Sequence, residues 1–308
     1  MRAIRIHAYG GSDQLHLEES TPPRPAAGEA LVRVRYAGVN PVDWKIRAGY
    51  LQSRQPVAFP LTLGQDFSGD VVESQRESGP LPPGTRVFGF ANGAYSELVT
   101  AAAGELAAMP KELSYETAAA LPTPAVTAYQ MIGRAAQLTS GQSILIHGGA
   151  GAVGSITVQL AHRLGAHVAA TADNDDDVRY LRELGVDPAI NSQTESFEDH
   201  LRSLDAVIDL VGGEIQKRSL AVLKPGGVLV SSVGVDAAVA GEAAARRIRA
   251  VSFGMVRSGA DLAELAQITA KGGLRLRIAK VLPFGQARQA QELSEQGAAH
   301  GRVMLRVA

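Results

Sequence analysis

An α/β fold, with a doubly wound parallel sheet inserted into a β-rich, barrel-like domain, is the class that three observations in this sequence predict. The first is an apolar stretch, Ser143-Ile144-Leu145-Ile146-His147, that runs into Gly148-Gly149-Ala150-Gly151-Ala152-Val153-Gly154 and on into a segment of helical apolar spacing. The second is an alternation of apolar strands with helix-periodic segments from about Ser114 onward, which implies parallel strands joined by right-handed crossovers. The third is a different texture from Met1 to about Ala103, where short alternating strands are punctuated by proline and glycine turns.

The elements follow in order. Ala30–Tyr36, Phe67–Glu73 and Arg86–Gly89 read as strands, separated by turn residues such as Pro22-Pro23, Pro82-Pro83-Gly84 and Asn92-Gly93. Ser114 with Thr117, ahead of the apolar run Ala118–Leu121, opens a helix, and Pro124–Ala136 reads as another. Then come strand 143–147, helix 152–164 stopped by Gly165, strand 167–172, helix 176–184 stopped by Gly185, strand 205–210, helix 214–222 and strand 227–232. Alanine-rich 237–245 approaches low complexity, and no internal repeat is seen. Lys280–Phe284, a helix near 286–296 and Val303–Val307 return to the β-rich texture and complete the first domain.

Strand, glycine loop and helix in direct succession form a site for a pyrophosphate. Gly149 permits the tight turn, Gly151 lets backbone N–H groups approach the phosphates, and Gly154 lets the helix pack closely. Gly151, Ala152 and Val153 are the expected phosphate contacts, because a helix N-terminus presents unpaired N–H groups and the positive end of its dipole. Asp173 ends the next apolar run, 24 residues after Gly149, about where a carboxylate meets an adenosine ribose. Asp175, Asp176 and Asp177 read as the acidic first turn of the following helix.

Composition narrows the partners. The 308 residues carry 30 Lys+Arg against 31 Asp+Glu, a formal net charge of -1, so no basic field recruits nucleic acid. Zero cysteines exclude disulfides, thiolate nucleophiles and cysteine-ligated zinc. No apolar run reaches the ~18 residues of a membrane span. The N-terminus alternates like a strand, and the expected address is the cytoplasm.

Further segments carry a resemblance: Ala37–Gly49, Gly64–Gly69, Gly93–Glu97, Leu121-Pro122 with Thr127-Ala128-Tyr129, the glycine loop, and Gly301–Leu305. In this order across nearly the whole chain they resemble the zinc-free quinone oxidoreductase branch of the medium-chain dehydrogenase/reductase superfamily. The resemblance implies a GroES-like β-barrel catalytic domain from 1–121 and 258–308, a Rossmann domain from 122–257, and a cleft between them as the active site. Zinc-dependent relatives place a cysteine at Asn40 and a His-Glu pair at Gln65-Asp66, and Asn40 and Gln65 are poor zinc ligands. The expectation is therefore no metal.

The resemblance also assigns roles. Asn40 is the polar residue near nicotinamide and substrate, although Asn-Pro also starts turns; from the residues themselves, Asp43 reads as a helix cap, and Tyr50 as either a packing residue or a donor to the acceptor oxygen. Thr127 lies near the nicotinamide or its phosphate, while Val211, Gly212, Ser232, Val233 and Gly234 line the nicotinamide pocket. Arg302 falls where relatives carry a basic residue near cofactor phosphates. Tyr50, Leu51, Phe59, Phe90 and Phe253 are candidate pocket walls. The branch favours NADPH, whereas Asp173 would repel a 2′-phosphate and favours NADH, with Arg179 or Arg182 as rival phosphate contacts.

The expected activity is NAD(P)H-dependent, zinc-independent hydride transfer to quinones or α,β-unsaturated carbonyl compounds, by a homodimer acting on a small molecule. Two alternatives stand beside it: an enone or enal reductase without quinone activity, and a non-catalytic dinucleotide-binding sensor or structural protein.

Overall fold

The computed structural model describes residues 1–74, 81–297 and 299–308. The chain divides into two compact units, Met1–Val126 with Arg257–Ala308, and Thr127–Val256.

The second unit alternates strand and helix: β1 (Ser143–His147), α1 (Ala152–Leu164), β2 (His167–Ala172), α2 (Asp175–Glu183), β3 (Ala189–Asn191), α3 (Phe197–His200), β4 (Leu204–Asp209), α4 (Glu214–Ser219), β5 (Leu223–Ser231), α5 (Ala237–Ala245) and β6 (Arg249–Ser252). All six strands are parallel, in the order β3-β2-β1-β4-β5-β6. That is the Rossmann order, and the chain reverses direction between β1 and β4, so a ligand crevice is expected at the carboxyl ends of those strands. Leu145 of β1, Val207 of β4 and Leu229 of β5 share a buried core with Phe197, Leu220, Val222 and Ala243. Each such fully buried aliphatic side chain contributes about 1.5–3 kcal/mol.

The strands at 143–147 and 167–172 and the helix at 152–164 stand where the sequence puts them. Gly165 ends α1 in the left-handed region at φ 84°, a conformation that costs glycine little. Elsewhere the boundaries move. The helix read as Pro124–Ala136 starts at Pro122, is α-helical to Gln130 and widens to a π-helix over Met131–Ala136. Helix 214–222 stops at Ser219, and strand 227–232 is Leu223–Ser231. The alanine-rich segment is the regular helix α5, capped by Asp236, whose carboxylate accepts the Ala238 N–H.

The first unit holds a seven-stranded sheet and a three-stranded sheet, with one bridge between Ala3 and Ser96. Among the described residues its strands form two ladders rather than one closed ring, so the barrel-like region is open. Glu29–Val39 pairs antiparallel with both Arg302–Arg306 and Asp66–Ser74. In that register Val303 stands opposite Val39 and Asp66 opposite Gly38, which brings residues far apart in sequence to one end of the sheet. Gly259–Ala270, capped by the Ser258 hydroxyl, is a further helix that the sequence reading leaves out. No helix of the described residues is long and apolar enough to cross a membrane.

Candidate functional site

In the second unit the crevice is built around the turn after β1. The positive φ belongs to Gly148, at 70°, and not to Gly149, to which the sequence reading assigned the tight turn. Gly149 is there for proximity: a Cβ on it would stand 2.7 Å from the Ala170 Cβ of β2. Gly154 is tighter, since its Cβ would stand 2.1 Å from the Gly148 carbonyl oxygen and seal the contact of α1 with the turn. Gly151 differs from both. A Cβ there would meet only the Gly148 oxygen, at 3.4 Å, so the space before the N-terminus of α1 is open. The first-turn N–H groups of Ala152 and Val153 have no carbonyl one turn earlier in the helix to bond. An open concavity at a helix N-terminus fits an anionic pyrophosphate.

Asp173 is exposed at the carboxyl end of β2 and accepts a hydrogen bond of 2.8 Å from the Asn174 amide. Asn174 caps α2 by accepting the Asp177 N–H at 2.9 Å, and Asp175 and Asp176 fill the rest of that first turn. The rival contact Arg179 is turned to Asp176, at 3.0 Å, on the exposed face of α2. Thr127 is buried in the helix Pro122–Gln130.

At the ends of β4 and β5, Val211 is 53% exposed and Val233 48%, unusual for branched apolar residues. They are neighbours across the crevice: a Cβ on Gly148 would lie 3.3 Å from Val211, and one on Gly212 would lie 2.9 Å from Val233. Ser232 donates its backbone N–H to the Asp209 carbonyl at 3.1 Å, and Gly234 holds φ at 90°. Asp209 is fully buried, and one carboxylate oxygen accepts the N–H groups of Val211 at 2.9 Å and Gly212 at 2.8 Å. Asp209 carries no signal in the sequence, because its strand, Leu204–Asp209, holds a second carboxylate, Asp205, and only the turns it braces set it apart. His147, opposite it in the sheet, is buried between the hydroxyls of Thr171 and Ser219, and burial lowers its pKa to about 4. It is neutral at physiological pH.

The first unit contains a buried polar cluster at the end of the sheet. Arg302 donates to the Val39 carbonyl at 2.8 Å, to the Asn40 side-chain oxygen at 2.5 Å and to the Asp66 carboxylate. Asp66 also accepts the Thr123 hydroxyl at 2.6 Å and the Thr123 N–H at 3.0 Å. Arg302 therefore stands corrected: its side chain is 5% exposed, committed to Asp66 and Asn40, and not offered to a cofactor phosphate. Asn40 heads the short helix Pro41–Arg47, and its Nδ2 is buried with no acceptor among the described residues. A buried donor without a partner costs free energy and fits a ligand oxygen. Tyr50 is 71% exposed and stacks edge-on to Trp44, while Phe90 is fully buried and forms no pocket wall.

The donor set does not suit zinc. Asn40 offers an amide oxygen already bonded to Arg302, Gln65 accepts from Arg257 at 3.2 Å, and Asp66 has both oxygens taken. No group of three His, Cys, Asp or Glu among the described residues could hold a metal.

Asp43 reaches back to accept the Asn40 N–H at 2.8 Å, as a capping residue does, and accepts the Tyr95 hydroxyl at 2.8 Å. Burial raises its pKa from 3.8 to about 7, against the pull of those two hydrogen bonds. An acid whose folded pKa is raised contributes stability that is full below the unfolded pKa and lost as pH rises through the folded one. The melting temperature of wild type should accordingly fall between about pH 4 and about pH 7 through this group. In Asp43→Asn, which keeps an acceptor for Asn40 and Tyr95, thermal melts across that range should show a flatter profile.

The glycine loop and the six-stranded order define a Rossmann-type α/β protein whose crevice suits a dinucleotide. Family comparison sharpens this. The alcohol dehydrogenase GroES-like domain matches residues 26–111, the alanine dehydrogenase/PNT C-terminal domain residues 115–242, and the zinc-binding dehydrogenase family residues 184–305. Mouse (Mus musculus) quinone oxidoreductase is 31% identical over 241 residues, covering 75% of this chain and 72% of the relative. The quinone oxidoreductase structure from Coxiella burnetii superposes with a TM-score of 0.93 at 31% identity, covering 100% of this chain and 99% of that one. The Escherichia coli quinone oxidoreductase complexed with NADPH gives a TM-score of 0.90 at 27% identity, with both chains covered in full. The chain belongs to the medium-chain dehydrogenase/reductase superfamily, in its zinc-free, quinone-oxidoreductase-like branch.

Proposed function

We propose that this chain is an NAD(P)H-dependent reductase that delivers hydride, without zinc, to quinones or related α,β-unsaturated carbonyl compounds, and that it prefers NADH. The observation that carries the reading is the open space at Gly151 before the N-terminus of α1, with the exposed Asp173 carboxylate one strand away. A bound reduced nicotinamide supplies the hydride. The N–H groups of Ala152 and Val153 hold the pyrophosphate, with Thr127 a further contact at the nicotinamide end. Gly148, Gly149 and Gly154 keep the loop in the shape that exposes those N–H groups. Asp173 accepts hydrogen bonds from ribose hydroxyls and repels a 2′-phosphate.

Val211 and Val233 give the ring an apolar support, with Gly212, Ser232 and Gly234 shaping the turns around it. Asn40, through its unpartnered Nδ2, donates to the oxygen on which negative charge develops, and Tyr50 is a second candidate donor. A quinone or enone is already electron-poor, so orientation and hydrogen bonding suffice and no strong Lewis acid is required. The cytoplasm is the address proposed with this activity. A homodimer is the assembly proposed, and β6 supports it as an edge strand paired only to β5 among the described residues.

Asp173→Ser tests the cofactor reading. The ratio of kcat/KM for NADH to that for NADPH should fall by about tenfold, the equivalent of about 1.4 kcal/mol. An unchanged ratio would remove Asp173 from the ribose. Oxidation of reduced cofactor by enones but not by quinones would favour the enone reductase, and tight binding with no oxidation by either would favour the non-catalytic sensor.

A further inference from the structure

We infer that Gln216, acting through Asp209, is the positioning residue that locks the nicotinamide-side wall of the crevice; the inference rests on the dinucleotide reading above. Gln216 lies on α4, away from the crevice surface, and is buried. The two N–H groups of its amide are shared among the second Asp209 carboxylate oxygen at 2.8 Å, the Ser231 hydroxyl at 3.1 Å and the Gly234 carbonyl at 2.6 Å. Its amide oxygen accepts the Asp236 N–H at 3.1 Å. One side chain thus ties the end of β4, the end of β5 and the start of α5 together.

Asp209 completes the frame. Its first oxygen holds the N–H groups of Val211 and Gly212, and its second accepts from Gln216 and from the Ser231 hydroxyl at 2.8 Å. All four hydrogen bonds to this buried carboxylate come from groups that shape two turns, and those turns carry the exposed Val211 and Val233. Val233 is held as well through its own N–H, 3.3 Å from the Ser231 hydroxyl. Glycine-rich turns such as Val211-Gly212-Gly213 and Val233-Gly234 have many conformations to lose. A saturated buried network that fixes them in advance lowers the ordering cost of binding the ring that packs there. The adenosine and phosphate contacts proposed above, at Asp173 after β2 and at the N-terminus of α1, belong to other elements, and no hydrogen bond of Gln216 reaches them.

The consequence is a separation that calorimetry can read. Gln216→Met keeps the volume and removes every hydrogen bond of the amide. NADH affinity should fall about tenfold, the cost of one or two buried polar groups left unpaired and a loosened wall, while affinity for ADP-ribose, which lacks the nicotinamide, stays within about twofold. Ser231→Ala, which removes the hydroxyl shared by Gln216, Asp209 and the Val233 N–H, should show the same pattern with a smaller shift and serves if Gln216→Met does not fold. Unchanged NADH affinity in both variants would overturn the inference. Equal loss of NADH and ADP-ribose would overturn it too, by making the network a support of the whole unit. If wild type binds neither ligand, the dinucleotide reading itself fails, and that outcome is distinct from the other two.

Discussion

Arg302→Met should lower the stability of the folded protein by about 3–5 kcal/mol, the range for breaking one side of a buried ion pair. The reason lies in what is left behind. Asp66 is fully buried, and without the guanidinium its partners among the described residues are the Thr123 hydroxyl and N–H. Asn40 Oδ1 and the Val39 carbonyl lose their donor at the same time. Replacing Asp66 as well, in Asp66→Leu with Arg302→Met, removes the stranded charge and should recover most of the loss, because a buried pair exchanged for apolar groups is often neutral. Urea unfolding of the three proteins checks both statements. If Arg302 instead contacted a cofactor phosphate, the single variant would lose cofactor affinity and keep its stability.

Gly151→Val should do the reverse, leaving the fold intact and raising the Kd for NADH at least tenfold, about 1.4 kcal/mol or more. The backbone at Gly151 is extended, at φ -69° and ψ 174°, so a side chain is conformationally permitted. Its Cβ would meet nothing closer than 3.4 Å within the protein, and the new methyl groups would project into the space before α1. They would exclude the pyrophosphate without disturbing the turn. Gly154→Val is the contrast, because its Cβ would fall 2.1 Å from a backbone oxygen and the unit should not fold around it. Circular dichroism separates the two variants before any binding is measured.

What the sequence makes legible is local. β1, the glycine loop, α1 and its stop at Gly165 can be read because strand pattern, loop and helix period succeed one another within one short stretch. The edges of the Rossmann sheet cannot, since Ala189–Asn191 and Arg249–Ser252 are too short to show a period and become strands only by pairing with β2 and β5. Two adjacent glycines also defeat sequence reading: Gly148 takes the positive φ, while Gly149 is required by the close approach of Ala170, and the sequence does not tell the two needs apart. Arg302 is the larger lesson. Its partner Asp66 is 236 residues away, and only the register of the sheet shows that the two meet in the interior. Asp209 and Gln216 were unreadable for the same reason, because a carboxylate and an amide gain their role from the turns they hold.

Metal-free hydride transfer from NADH can be checked by the turnover of chelator-treated protein. Reduced nicotinamide absorbance would be followed with NADH and a panel of quinones and enones, before and after exhaustive treatment with a chelator and again after added zinc. Oxidation of NADH should depend on the acceptor and proceed at the same rate in all three states. Activity that disappears on chelation and returns with zinc would contradict it.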